Sequence, residues 1–341
     1  MNISDFFLRR PKALPAPEPV ESFKNLADFM LARAWNSQVD PADIFTGPGL
    51  VSKEECNLLY SLAKDYYTGA GSIVDLGCYL GRSTKCLGTG LLANTAVPNK
   101  TSRIYSYDRF SAQEQYLEDY VRNHVRFRLE DLMRPEGMWF RPIFDETIQP
   151  FADSVQVFEG EFPPLPYDGG PVELLFIDLS KTEALNTAII EVMFPHLIPG
   201  KSVVIHQDFH HIYAWWIYFS MDFFSDYFRV IVDGVRESCV FLLVKEIPEE
   251  KIAEFAAVSI SQRYSYEAGL ASMTRMQEQL APPYRGFIEL NKIRWKIQFG
   301  ADLGATIEEL KQLPLDWINQ RDHWAIWVNA IDAEIKARAG A

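Results

Sequence analysis

The stretch Ser72–Thr84, SIVDLGCYLGRST, constrains what this chain can fold into more than any other. Ile73-Val74 begin an apolar run that reads as a buried strand. Asp75 follows, then Gly77 and Gly81 four apart, and Arg82-Ser83-Thr84 open a helix. Glycine lets backbone approach a ligand closely, and the first turn of a helix offers N–H groups without intrahelical partners. A strand, a glycine turn and a helix start together make a pocket for a nucleotide-type ligand.

The segments downstream extend that unit into a sheet. Apolar runs predict strands at 72–76, 103–107, 155–159, 172–178, 201–206, 228–233 and 238–245, with helices near 82–92, 111–124, 141–151, 182–196 and 211–226. Such alternation argues for a parallel sheet covered on both faces. In RVIVDGVRESCVFLLVKEI the turn between the last two runs is too short for a parallel crossover, so they form an antiparallel hairpin at the sheet edge. The expected fold is α/β, a seven-stranded doubly wound Rossmann-like sheet. The segment 125–140 is longer than a connection needs and reads as a lid or a surface insertion.

Around this sheet the chain divides further. Residues 1–20 carry Pro11, Pro15, Pro17 and Pro19 and read as a flexible arm; residues 21–71 read as a helical cap. A helix fits 22–36, and Ser52 with Glu55 has capping-box spacing, so another starts at 53 and runs to 67. The sheet domain spans 72–247. Residues 248–341 read as an all-helical extension: 249–259, 265–280, 284–298, 306–313 and 316–337. Its Trp295, Trp317, Trp324 and Trp327 read as packing residues, and the extension is expected to pack on the core or to form a homodimer contact.

Net charge is −13, which argues against nucleic acid as the main partner. Cys56, Cys78, Cys86 and Cys239 show no C-x-x-C spacing, so a zinc site and a disulfide framework are not expected. No stretch approaches the roughly 18 apolar residues of a membrane span, and the N-terminus lacks the apolar core of a signal peptide. A cytoplasmic protein without a membrane partner is the expectation.

Seven strands with a final hairpin, and the acidic-glycine motif after the first, resemble the class I S-adenosylmethionine (SAM)-dependent methyltransferases over roughly residues 50–246. The local motifs look closest to the methyltransferase-24 branch. Its first motif, D-x-G-x-x-x-G-R-S-T, is matched from Asp75 to Thr84. Its strand-four run ending in Ile-Asp is matched by LLFID up to Asp178, and its L-x-P-G-G turn is resembled by Leu197-Ile198-Pro199-Gly200-Lys201, with Lys201 at the last glycine. The resemblance implies that Asp75, Gly77, Cys78, Tyr79 and Gly81 line the SAM site, with Ser83 or Thr84 at the methionine carboxylate. It places Asp108, with Arg109, at the ribose, Glu159, Gly160 and Glu161 at the adenine, and Asp178 at the strand-four edge. The competing NAD-type reading wants G-x-G-x-x-G, and Tyr79 stands where its middle glycine would fall.

The chemistry is expected at HQDFHH, just after the fifth strand, where His206, Asp208, His210 and His211 gather. A hydroxyl acceptor needs a base or a cation that lowers its pKa. Some relatives hold a divalent ion with acids after strands four and five. Here Asp178, Asp208 and His210 are the candidate ligands, an O/N set suited to Mg or Mn. Their usual I-D-G-D-H is Ile177-Asp178-Leu179-Ser180-Lys181 in this chain, so its second acid and its histidine are missing, and D-D-Y is Gln207-Asp208-Phe209, with only one acid retained. The resulting expectation is a SAM-dependent O-methyltransferase for a small hydroxylated acceptor, a sugar or natural-product intermediate. The alternatives are a catalytically degenerate binding protein of the same fold and a metal-dependent enzyme of other chemistry.

Overall fold

The computed structural model describes residues 44–113, 115–124, 126–163, 165–299, 302–313 and 324–339. The expected arm at 1–20, the helix at 22–36 and Trp317 lie outside the described residues.

Seven strands form the main sheet in the order β6-β2-β1-β7-β8-β10-β9. They are β1 (Ser72–Leu76), β2 (Ile104–Asp108), β6 (Val155–Glu159), β7 (Val172–Ile177), β8 (Val203–His206), β9 (Phe228–Val235) and β10 (Ser238–Leu243). The first five are parallel, and β10 runs antiparallel to both β8 and β9. The hairpin therefore closes one edge, as its short turn requires.

The central strands are apolar on both faces because both faces are covered. Val74, Leu76, Leu175, Ile177 and Val204 join one core; Ile73, Leu174, Phe176, Val203 and Ile205 join the other. Helices Lys53–Ser61 and Arg82–Ala93 cover the second face. The first of these starts at the predicted capping box: Glu55 N–H donates to Ser52 Oγ, and Ser52 N–H donates back to Glu55 Oε2 at 2.9 Å.

Part of the helical tail belongs to the first core, while Leu290, Ile293, Leu310, Ile331 and Ile335 form a separate cluster with Ile212. Ile252, Phe255, Met273, Met276, Ile288 and Trp295 are buried in the same cluster as the sheet residues. Trp295 packs 4.9 Å from Phe219 and donates Nε1–H to Tyr266 O at 3.0 Å. Asp222, on helix Trp215–Phe223, takes Arg275 and Ser272 from helix Tyr266–Glu278.

Between β2 and β6 the chain differs from a plain loop. Ser111–Ala112 (β3), Met133–Arg134 (β4) and Gly137–Trp139 (β5) form a three-stranded antiparallel sheet, and the helix expected from 111 begins at Gln115. Its buried side has its own core, with Phe110, Leu117, Leu132, Met138, Phe140 and Phe144. The next helix stops at Ile148 because Pro150 has no N–H to continue it.

Candidate active site

The carboxyl ends of β1, β2, β7 and β8 face one mouth. After β1 the chain turns through Gly77 at φ +86°, where a Cβ would lie 2.7 Å from the Asp178 carbonyl oxygen. Tyr79 also adopts a left-handed φ of +48°. Its N–H donates to Asp108 Oδ2 at 2.8 Å, and Phe110 N–H donates to Asp108 Oδ1 at 2.8 Å. Burial pushes the Asp108 carboxyl above its ordinary value, against these N–H donors. Gly81, at φ +97°, begins helix Arg82–Ala93, and no side chain caps it.

Asp75 supports this loop from behind. The hydroxyls of Ser83 and Thr84 both donate to its Oδ2, at 2.9 and 2.5 Å, while Oδ1 is buried without a partner. Burial pushes the Asp75 carboxyl up to about 6. Asp75 and Thr84 are thus spent on each other. The cavity at the mouth is lined instead by Gly77, Cys78, Tyr79, Leu80, Arg82, Ser83 and Asp108 on one side and by Asp178, Leu179 and Lys181 on the other.

Glu159, Gly160 and Glu161 stand outside this lining, at the end of edge strand β6. Glu159 accepts from Trp139 Nε1 at 2.8 Å and from Arg141, and Gly160 N–H donates to Asp108 O. Arg109 donates to Ser111 O and pairs with Glu161 at 3.8 Å.

Across the mouth, Lys181 Nζ lies 2.6 Å from Asp178 Oδ1 and 2.6 Å from Asp208 Oδ2. Burial pushes Asp178 up to about 7, with Lys181 pulling the other way. Desolvation opposes the charged form of Lys181, but the two carboxylates outweigh it and raise its pKa.

The three histidines diverge. His206 is fully buried beside Phe241, neither ring nitrogen has a partner, and burial pulls it down to about 3. His210 Nε2 accepts Gly234 N–H at 3.1 Å, and its ring packs near Phe287 and Tyr284. His211 Nδ1 accepts Tyr213 N–H, and burial holds its pKa below the ordinary value.

The sequence reading missed two contributors. Gly49, Leu50 and Val51 complete the cavity wall. They belong to a strap clamped by Arg82, which donates to Gly47 O at 2.6 Å and Val51 O at 3.1 Å, and by Tyr120, whose hydroxyl accepts Gly49 N–H. The second is Lys181, whose spacing from Asp178 hinted at a pair but gave no sign of Asp208.

A doubly wound sheet in this strand order, with a glycine loop after β1 and an acid ending β2, defines the class I methyltransferase architecture. Residues 74–207 match a family model described as a methyltransferase domain, of the methyltransferase-24 type. No curated protein matches the chain significantly. Among solved structures, the O-methyltransferase NovP is similar with 12% identity, over 67% of this chain and 98% of its own, at a TM-score of 0.43. An O-methyltransferase from Bacillus cereus in complex with SAH has 15% identity, 71% and 95% coverage and a TM-score of 0.38. CalS11, a TDP-rhamnose 3'-O-methyltransferase, has 17% identity, 68% and 96% coverage and a TM-score of 0.38.

The residues present fit SAM. A helix start without a side-chain cap suits its carboxylate. The Asp108 carboxylate has acceptor capacity beyond its two backbone donors for a ribose diol. The same residues do not fit a divalent ion. Among the described residues, no group of three His, Cys, Asp or Glu is placed to hold one. The Asp178 and Asp208 carboxylates already share an ammonium, and His210 turns its Nε2 to Gly234. Among the described residues no helix is long and apolar enough to cross a membrane.

Proposed function

We propose that the chain is a SAM-dependent O-methyltransferase acting on a hydroxyl of a small acceptor. The observation that carries this reading is the Asp178–Lys181–Asp208 array: Asp178 and Lys181 face the glycine loop across the cavity, and Asp208 is held beside that wall on Lys181 Nζ. Bound SAM supplies an electrophilic methyl on a sulfonium; the acceptor oxygen forms the new O–C bond, the C–S electron pair returns to sulfur, and one proton is released.

The chain's own residues position the reactants and take up that proton. The backbone from Gly77 to Gly81 and the Asp108 carboxylate hold the donor, and the strap from Gly49 to Val51 limits water on that side. Asp208 is the proton acceptor in this reading, with Asp178 sharing the load through Lys181. Leu50 and Leu179 give the cavity an apolar rim beside the charges, which suits a small, partly hydroxylated molecule. The divergence of His206, His210 and His211 supports a carboxylate base over an imidazole.

Isothermal titration with S-adenosylhomocysteine (SAH) tests the donor half, with saturable one-to-one binding expected. The acceptor half is tested by transfer to a panel of hydroxylated sugars and phenols, where label on nitrogen or carbon alone would overturn O-methylation.

A further inference from the structure

Resting on that reading, we propose that Lys181 takes the place of a divalent ion, so that this site orients its acceptor oxygen with a built-in ammonium and works without metal. The two carboxylates come from different strands, Asp178 after β7 and Asp208 after β8, and meet on one nitrogen at 2.6 Å each. A magnesium ion demands about 2.0–2.1 Å to each oxygen, so both carboxylates would have to close inward, with Lys181 expelled.

The lysine is held in place. Lys181 N–H donates to Leu179 O at 2.8 Å, forming a tight turn after Asp178. Within that turn Ser180 Oγ bonds Asn186 Oδ1 at 2.8 Å, and Ser180 O accepts Trp216 Nε1–H at 2.9 Å. Neither partner of Ser180 touches the cavity, so the turn is braced from behind. After β8, the residue before Asp208 is Gln207, which adds no charge to attract a cation.

An ammonium carries three N–H donors. Two are used on Asp178 and Asp208, which leaves one for an acceptor oxygen, and the Lys181 side chain is 53% exposed at the cavity. A divalent ion can chelate two neighbouring oxygens, whereas one N–H holds a single oxygen. The acceptor class that follows is one bearing an isolated hydroxyl, with no need for a vicinal pair.

The test uses Mn2+ alone, titrated into the SAH-loaded full chain, and the same titration into Lys181→Ala. Wild type is expected to take up no Mn2+ at millimolar concentration and to lose no transfer activity in EDTA. Lys181→Ala is expected to bind one Mn2+ with a Kd on the order of 10⁻⁴–10⁻³ M, the range of weak carboxylate sites. Mn2+ uptake by wild type, or loss of its activity in EDTA, overturns the proposal. So does a folded, SAH-binding Lys181→Ala that takes up no Mn2+. Lys181→Met serves if the alanine variant does not fold, and the wild-type titration stands by itself. Failure of wild type to bind SAH would instead overturn the methyltransferase reading.

Discussion

Asp108 Oδ2 accepts the Tyr79 N–H at 2.8 Å, so one carboxylate at the end of β2 both shapes the glycine loop after β1 and faces the donor cavity. Tyr79 needs that anchor because it is a non-glycine residue at φ +48°. Asp108→Ala removes the anchor and the diol acceptor together. We expect SAH affinity to fall about 10- to 100-fold, equivalent to about 1.4–2.8 kcal/mol. Asp108→Asn keeps an acceptor for Tyr79 and should lose less. Calorimetric titration of both variants checks the order.

Asp75 makes stability depend on pH. Its folded pKa is raised to about 6 by burial, above the value of an unfolded Asp. The fold therefore binds this proton more tightly than the unfolded chain does. The resulting stabilisation is fully present below about pH 3.8 and is lost as pH rises through about 6. Asp75→Asn keeps an oxygen for Ser83 and Thr84 but cannot titrate. Between pH 4 and pH 7 wild type should lose on the order of 2–3 kcal/mol relative to this variant. Urea melts of both proteins at several pH values read the difference directly.

Gly77→Ala tests the close approach of the loop to β7. A Cβ there would lie 2.7 Å from the Asp178 carbonyl oxygen, and φ is +86°. Backbone cannot yield as a side-chain tip can, so the cost is about 1–3 kcal/mol. We expect a lower melting temperature together with weaker SAH binding. A variant with wild-type affinity would place the donor away from this loop.

Trp295→Ala tests whether the tail is part of the fold. The ring is buried against Phe219 and Trp215, in the same cluster as the sheet. Truncation should cost about 3–5 kcal/mol. Because the tail and sheet share this core, chemical denaturation should remain a single transition with a lower midpoint. Two separated transitions would show that the tail unfolds on its own.

Most of the sheet was legible because its strands are buried on both faces and therefore read as apolar runs such as LLFI. The small sheet between β2 and β6 was not, because strands of two or three residues, Ser111–Ala112 and Met133–Arg134, are too short to show a period. At the site, Gly77, Cys78, Tyr79, Ser83, Asp108 and Asp178 lie in one contiguous motif or at strand ends, and the structure brings them to one cavity. Lys181 was illegible as a bridge because its second partner, Asp208, is 27 residues away and reaches it only through the β7–β8 pairing. The strap at Gly49–Val51 carries no motif; its position depends on Arg82, which the sequence presents as the motif arginine opening a helix and not as a clamp on residues 31 to 35 positions earlier.

The sequence treats His206 and Asp208 alike, as members of one catalytic cluster, while the structure gives them different surroundings. His206 follows Val204 on the same face of β8, and its ring lies in the apolar core beside Phe241. Burial holds it neutral, with a pKa pulled down to about 3. Asp208 lies beside the cavity wall, paired with Lys181 Nζ. We therefore expect Asp208→Asn to lower kcat about 100-fold with SAH affinity within twofold of wild type, since loss of a positioned base costs that order. His206→Gln should keep kcat within a few-fold, and His206→Ala should lower the melting temperature by leaving a core cavity. Steady-state kinetics, SAH titration and thermal melts on the three variants separate the roles. A His206→Gln that melts like wild type but has lost transfer would return the proton-accepting role to the imidazole.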